Sequence, residues 1–145
     1  LCVASACDIR VAASGSKLWF IFVKLGLFPG MGATYFLPRV LGSARASELL
    51  LTGRIISAED AERMGLVSSV VAPDQVLSTA FSIAEGIAAN GPEAVRQLLG
   101  ALRTPAPSLT SALEREALCQ GINYSSKEFL EGVTATREKR RPTFT

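Results

Sequence analysis

Four groupings of residues in this chain have types and spacings that chemistry could use. They are the thiols Cys2, Cys7 and Cys119, the acid pairs Glu59/Asp60 and Glu114/Glu116, the turn Gly30-Met31-Gly32, and the basic tail Arg137, Lys139, Arg140 and Arg141. A thiol becomes a nucleophile when a base or a nearby cation turns it into a thiolate. The chain contains no histidine, so Ser-His-Asp triads, Cys-His dyads and His-ligated zinc sites are excluded within it. The cysteines are read as structural and reduced, since three have no metal spacing and cannot pair completely.

The acid pairs have the chemistry of a general acid and a general base. Both fall at or near expected helix starts, where the helix dipole favours carboxylates, and a structural role is preferred for each. Gly30-Met31-Gly32 invites comparison with a phosphate loop, whose amides bind anions at a helix start. It lacks the Lys-Ser/Thr of a Walker loop and the third glycine of a dinucleotide fingerprint, so it is read as a tight turn. The basic tail either solvates the C-terminus or meets a phosphorylated ligand; composition alone favours the first.

These residues have to be positioned by one ordinary domain's worth of chain. Its 145 residues are 48% hydrophobic and 19% charged, with a formal charge of +2. That balance fits a globular protein with a real core and gives no reason to expect nucleic acid or a membrane surface as partner. The opening LCVASACDIR has no initiating methionine, basic region or cleavage pattern, so it is not read as a signal peptide. The chain is expected to begin inside an element whose neighbour lies upstream.

The pattern predicts an α/β front, residues 1–89, and a helical segment, residues 90–145. In the front, Asp8–Ala12 alternates as a strand and Leu18–Val23 has the make-up of a buried one. Ala33–Leu37 is expected as a short helix stopped by Pro38. Ser43 would cap a helix over about 44–51, and Ser57 one that ends at Gly65. Leu66–Val71 follows as a strand, and Asp74 would cap a helix whose apolar row is Val76, Ala80, Ala84 and Ala88. Asn90-Gly91-Pro92 marks the boundary. Helices are then expected over about 93–102, 108–124 and 128–136, the last with Ser125-x-x-Glu128 as a capping box.

Three stretches carry a resemblance to a known family. The first runs from Ala6-Cys7-Asp8-Ile9-Arg10 through Lys24-Leu25-Gly26-Leu27-Phe28-Pro29-Gly30-Met31-Gly32-Ala33-Thr34 to Leu37-Pro38-Arg39 and Gly42. The second is Leu51-Thr52-Gly53-Arg54-Ile55-Ile56-Ser57-Ala58-Glu59-Asp60-Ala61, closed by Gly65-Leu66-Val67. The third is Glu131-Gly132 with Glu138-Lys139-Arg140-Arg141-Pro142-Thr143-Phe144. In this order and spacing they resemble the enoyl-CoA hydratase/isomerase, or crotonase, superfamily over nearly the whole chain.

The resemblance implies the last turns of a crotonase-like ββα spiral followed by a helical segment that covers the active site and builds trimer contacts. Members are roughly twice this length, so the chain is expected to be the C-terminal half of such a protein. A CoA thioester would be the substrate, with no cofactor and no metal, and a homo-trimer or hexamer the assembly. A reducing compartment, the cytoplasm or an organelle matrix, would be its location. In the family two backbone amides hold the thioester oxyanion, here expected upstream of Leu1, while carboxylates move protons.

The positions that match the family's acids are Cys2, Phe22 and Gly30, none of them a carboxylate. Cys2, Ile21, Phe22, Leu25, Pro29 and Gly30 are expected to line the acyl site, and Lys139 matches a lysine that approaches the CoA nucleotide. The implied function is an acyl-CoA-handling, enoyl-CoA hydratase/isomerase-like protein that is inactive as this chain alone. The alternatives are a non-catalytic acyl-CoA binder or oligomer scaffold, or an incomplete, inactive fragment.

Overall fold

Short hydrogen-bonded ladders hold the front of the chain together. The computed structural model describes residues 1–144. They fall into two units, Leu1–Phe81 and Ser82–Thr145. In the first unit, α1 (Cys2–Ser5) leads to β1 (Val11–Ala13), which pairs in parallel with β4 (Ser69–Val71), Ala12 standing opposite Val70. β2 (Lys17–Leu18) pairs antiparallel with β3 (Ile56–Ser57). Around them lie α2 (Ala33–Thr52) and α3 (Ala58–Met64).

The core of this unit is built from Phe20, Leu37, Leu49, Ile56 and Leu66, all fully buried, with Ala33, Ala46, Ala58 and Ala61 closing the gaps between elements. Each large apolar side chain so buried contributes about 1.5–3 kcal/mol. Arg10 pins the layers, donating from Nε to the Leu66 carbonyl and from Nη1 to that of Cys7. Its own carbonyl accepts the Ser68 N–H at 2.7 Å, and Ser14 donates to the Val71 carbonyl at 2.7 Å. These bonds tie the chain around β1 to that around β4, far apart in sequence.

Several expected elements differ. Leu18–Val23 is not one strand: only Leu18 belongs to a ladder, and Phe22–Leu25 is a 3₁₀ turn ended by Gly26 at φ 67°. The partner β3 is two residues long, so the ladder has nothing to extend along. Pro38 does not stop its helix. The helix continues through it because Ala33 and Leu37 anchor its inner face, and the break falls at Gly42, whose φ 76°, ψ 164° is outside helical space.

Ile9 and Arg10 fall outside β1, and Leu66 and Val67 are buried but bent, both donating to the Ala61 carbonyl rather than to a strand. The helix expected after Asp74 is α4 (Val76–Ala88), entered through a 3₁₀ turn over Pro73–Gln75 and not through a side-chain cap.

Ser57 caps α3 as expected: its Oγ accepts the Asp60 N–H at 3.0 Å, a bond that contributes about 1 kcal/mol. The second unit is helical, with α5 (Pro92–Arg103), α6 (Leu109–Tyr124) and α7 (Lys127–Glu138). Pro92 opens α5 and Ser108 caps α6 through the Ser111 N–H. The expected capping box of α7 is displaced. Ser126, not Ser125, accepts the Phe129 N–H at 3.0 Å. Glu128 turns instead to α5, its carboxylate accepting the Glu93 N–H at 3.2 Å. An anion there satisfies a free donor at the start of α5 and suits that end of the helix dipole.

Candidate functional site

The turn Phe22–Leu25 and the loop to Pro29 form one wall of an open groove of about 580 Å³ in the first unit. Val23, Gly26, Leu27, Phe28 and Pro29 line this side. The facing wall comes from α2: Thr34 near its start, then Ser47, Leu50 and Leu51 beyond the Gly42 kink. Ser47, Leu50 and Leu51 share a helix face because three and four residues bring side chains round to the same side.

The lining is apolar except for the hydroxyls of Thr34 and Ser47, and it holds no ionisable side chain. From Ile9 to Ser47 the chain has no aspartate or glutamate at all. Phe28 is 82% exposed and Leu51 75%. Apolar side chains left this open in a cluster mark a surface made to be covered.

The sequence-derived site residues are only partly gathered here. Pro29 lines the groove. Phe22 is half-buried against the core at the base of the same turn, and a methyl group placed on Gly30 would stand 3.9 Å from its ring. Two of the three family acid positions are therefore neighbours in space. Ile21 precedes the turn and accepts the Lys24 N–H at 2.9 Å, while Leu25 is 60% exposed. Cys2 is part of the buried core on α1. Val23, Leu27, Phe28, Thr34, Ser47, Leu50 and Leu51 were not anticipated. The helical spacing of Ser47, Leu50 and Leu51 was the available signal, but which loop they face is set by contacts distant in sequence.

Glu59 and Asp60 are held by structural contacts. Asp60 accepts from the Ser57 hydroxyl at 3.0 Å and pairs with Arg63. The Ser57 bond, then the Arg63 charge, holds its carboxyl below the usual range. Glu59 accepts the Gly15 N–H at 3.3 Å, and backbone hydrogen bonds lower it also. Glu114 and Glu116 lie on exposed positions of α6. No cluster of three or more potential metal ligands occurs among the described residues.

In the second unit, Lys139 ends α7. Next to it Arg140 grips Glu131 with two bonds, at 2.6 and 2.9 Å, and Glu138 with one at 2.6 Å. Glu131 also accepts the Thr143 N–H at 2.8 Å. The Arg140 bonds, followed by that amide, pull the Glu131 carboxyl from 4.5 down to about 2.

A carboxyl depressed on folding contributes stability that is full above its unfolded pKa and fades as pH falls through the folded one. Acid titration is therefore expected to release the tail between about pH 4.5 and 2. Hydrogen exchange at the Thr143 amide would follow it, with protection intact at pH 6. Protection unchanged down to pH 2 would show that the carboxylate does not hold the tail.

The fold of this chain recurs in solved proteins. The enoyl-CoA hydratase from Bacillus anthracis superposes with a TM-score of 0.90 at 40% identity, over 97% of this chain and 55% of that one. The architecture is thus a partial crotonase fold. The sequence matches the family described as Enoyl-CoA hydratase/isomerase over residues 1–145, and the chain belongs to that family.

Among curated relatives, it is 38% identical to the short-chain-enoyl-CoA hydratase of Clostridioides difficile, across 93% of this chain and 88% of that protein. It is 40% identical to the mitochondrial enoyl-CoA hydratase domain-containing protein 2 of Bos taurus, across 98% of this chain but 50% of the relative. The chain thus spans about half the length of the bovine protein and of the Bacillus anthracis structure.

Proposed function

We propose that this chain forms the acyl-binding part of an acyl-CoA-handling protein in which ordinary two-carboxylate hydration has been lost. The observation that carries this reading is the apolar, acid-free groove walled by the Phe22–Leu25 turn and its loop, with Gly30 near enough to Phe22 that a methyl group added to it would stand 3.9 Å from the ring. The groove takes the acyl chain along Pro29, with Ile21, Phe22, Leu25 and Gly30 on and beside the adjoining turn, while Cys2 stays in the core. Amides preceding Leu1 supply the oxyanion hole for the thioester carbonyl. Lys139 reaches the CoA phosphates as a point charge. The substrate is a CoA thioester, and the reaction draws on no cofactor and no metal.

A second reading, a non-catalytic acyl-CoA binder or scaffold, is favoured by the same missing carboxylates. Association into a trimer or hexamer is supported in either case by the apolar side chains open on the helical unit, including Leu98, Leu102, Leu113, Ile122 and Leu130. A reducing compartment suits three unpaired cysteines, and the bovine relative is mitochondrial. No helix among the described residues is long and apolar enough to cross a membrane.

Calorimetry on the full-length protein tests the shared part of both readings. Short- and medium-chain acyl-CoAs are expected to bind, and Leu51→Asp, which sets a charge in the groove, to weaken the medium-chain ester more than the short one. Absence of binding by any acyl-CoA would remove both readings.

A further inference from the structure

Lys139 has φ 54° and ψ 37°. Only one other non-glycine described residue, Met31, has a positive φ. This is the left-handed conformation that ends many helices, and glycine is the usual occupant because a Cβ is disfavoured there. The motif is otherwise complete: the Lys139 N–H bonds the Thr136 carbonyl at 3.3 Å and the Arg140 N–H that of Ala135 at 3.0 Å. A side chain held in such a conformation needs neighbours that over-determine it, and it points to a use for the side chain.

The neighbours are visible. Glu131, one helical face back, takes Arg140 through two bonds and the Thr143 amide through a third, and Glu138 takes Arg140 from the other side. Residues on the C-terminal side of Lys139 are thus tied to α7 independently of the helix ladder.

The same bonds sort the charges of the tail. Arg140 is neutralised between two carboxylates. The Lys139 ammonium is exposed and has no hydrogen-bonding or ionic partner among the described residues. Side-chain ion pairs are also lacking for Arg137 and Arg141 among those residues. One cation is used to build the turn, and the one at its apex is left for an external anion.

We propose that Glu131 and Arg140 are positioning residues that fix Lys139 as a phosphate-recognition point for the nucleotide end of a CoA thioester. This rests on the reading of Lys139 given under the proposed function and adds the device that sets it. A compact ammonium on a fixed backbone loses less freedom on meeting a phosphate than one on a frayed helix end.

The test is calorimetric titration of the full-length protein with coenzyme A and with dephospho-coenzyme A, which lacks the 3′-phosphate. The native protein is expected to prefer coenzyme A by about tenfold, the size of one charge-assisted contact. Lys139→Ala and Glu131→Gln should each abolish the preference, and the double variant should add nothing, as coupled residues behave. Lys139→Gly should also lose the preference while raising Tm, because it relieves the left-handed strain.

Retention of the preference in Lys139→Ala would overturn the underlying reading of that lysine, as would a native protein with none. Loss in Lys139→Ala with retention in Glu131→Gln would overturn the positioning role alone. A Glu131→Gln variant that weakens both ligands alike would overturn it too, by showing a purely structural effect.

Discussion

Replacing Phe20 with alanine is expected to destabilise the first unit by about 3–5 kcal/mol, the usual effect of emptying a fully buried aromatic site. Phe20 is 2% exposed in a core shared by Leu37, Leu49, Ile56 and Leu66. In the sequence it lies between β2 and the turn that carries Phe22. The same core cluster holds the small residues Ala33, Ala46, Ala58 and Ala61, which have little side chain to move into a void. Little can collapse into the cavity. Urea unfolding followed by circular dichroism would measure the loss, with Phe36→Ala as a half-buried comparison. A change under about 1 kcal/mol at Phe20 would mean that the site relaxes freely around the lost ring.

The second large effect concerns chemistry. Installing carboxylates by Phe22→Glu and Gly30→Asp is expected to raise enoyl-CoA hydration or isomerisation in the full-length protein by about 10²–10⁴-fold, the range supplied by positioned acid–base groups. The backbone admits both. Gly30 lies outside the left-handed region, and the first carbon of a side chain there meets nothing nearer than the Phe22 ring at 3.9 Å, an ordinary contact that Phe22→Glu removes. Phe22 is half-buried, so a glutamate there keeps partial access to solvent. Its apolar surroundings would push that carboxyl upward, toward the working range of a general acid. Folded variants with no gain in turnover would show that the site has drifted in more than its acids.

How far the sequence discloses this molecule depends on whether the relevant physics is local. Caps and stops are local, and Ser57, Gly65, Pro92 and Ser108 stand where their chemistry puts them. Strand length is not. Leu18–Val23 has strand composition, but a strand needs a partner, and β3 offers two residues. Pro38 was overruled by the burial of Ala33 and Leu37, which outweighs one missing hydrogen bond. Glu128 has the spacing of a capping box and instead meets an amide 35 residues away.

The candidate site divides in the same way. Family resemblance led to Phe22 and Gly30, and the short loop between them keeps them close enough that a methyl group added to Gly30 would stand 3.9 Å from the Phe22 ring. The wall formed by Ser47, Leu50 and Leu51 depends on how the kink at Gly42 aims the second half of α2, which no local pattern specifies. The clamp on Arg140 was also hidden, since four basic residues in a row of five positions read as one solvated patch until their partners are known.

On the proposed function, this family member binds a CoA thioester but has no carboxylate at Cys2, Phe22 or Gly30 for ordinary hydration. Steady-state hydration of a short-chain trans-2-enoyl-CoA by the full-length protein, beside calorimetric binding of the same ester, tests it most directly. Saturable binding is expected, with turnover at least about 10²-fold below that of a two-carboxylate hydratase assayed in parallel. Turnover equal to that hydratase, or no binding at all, would contradict it.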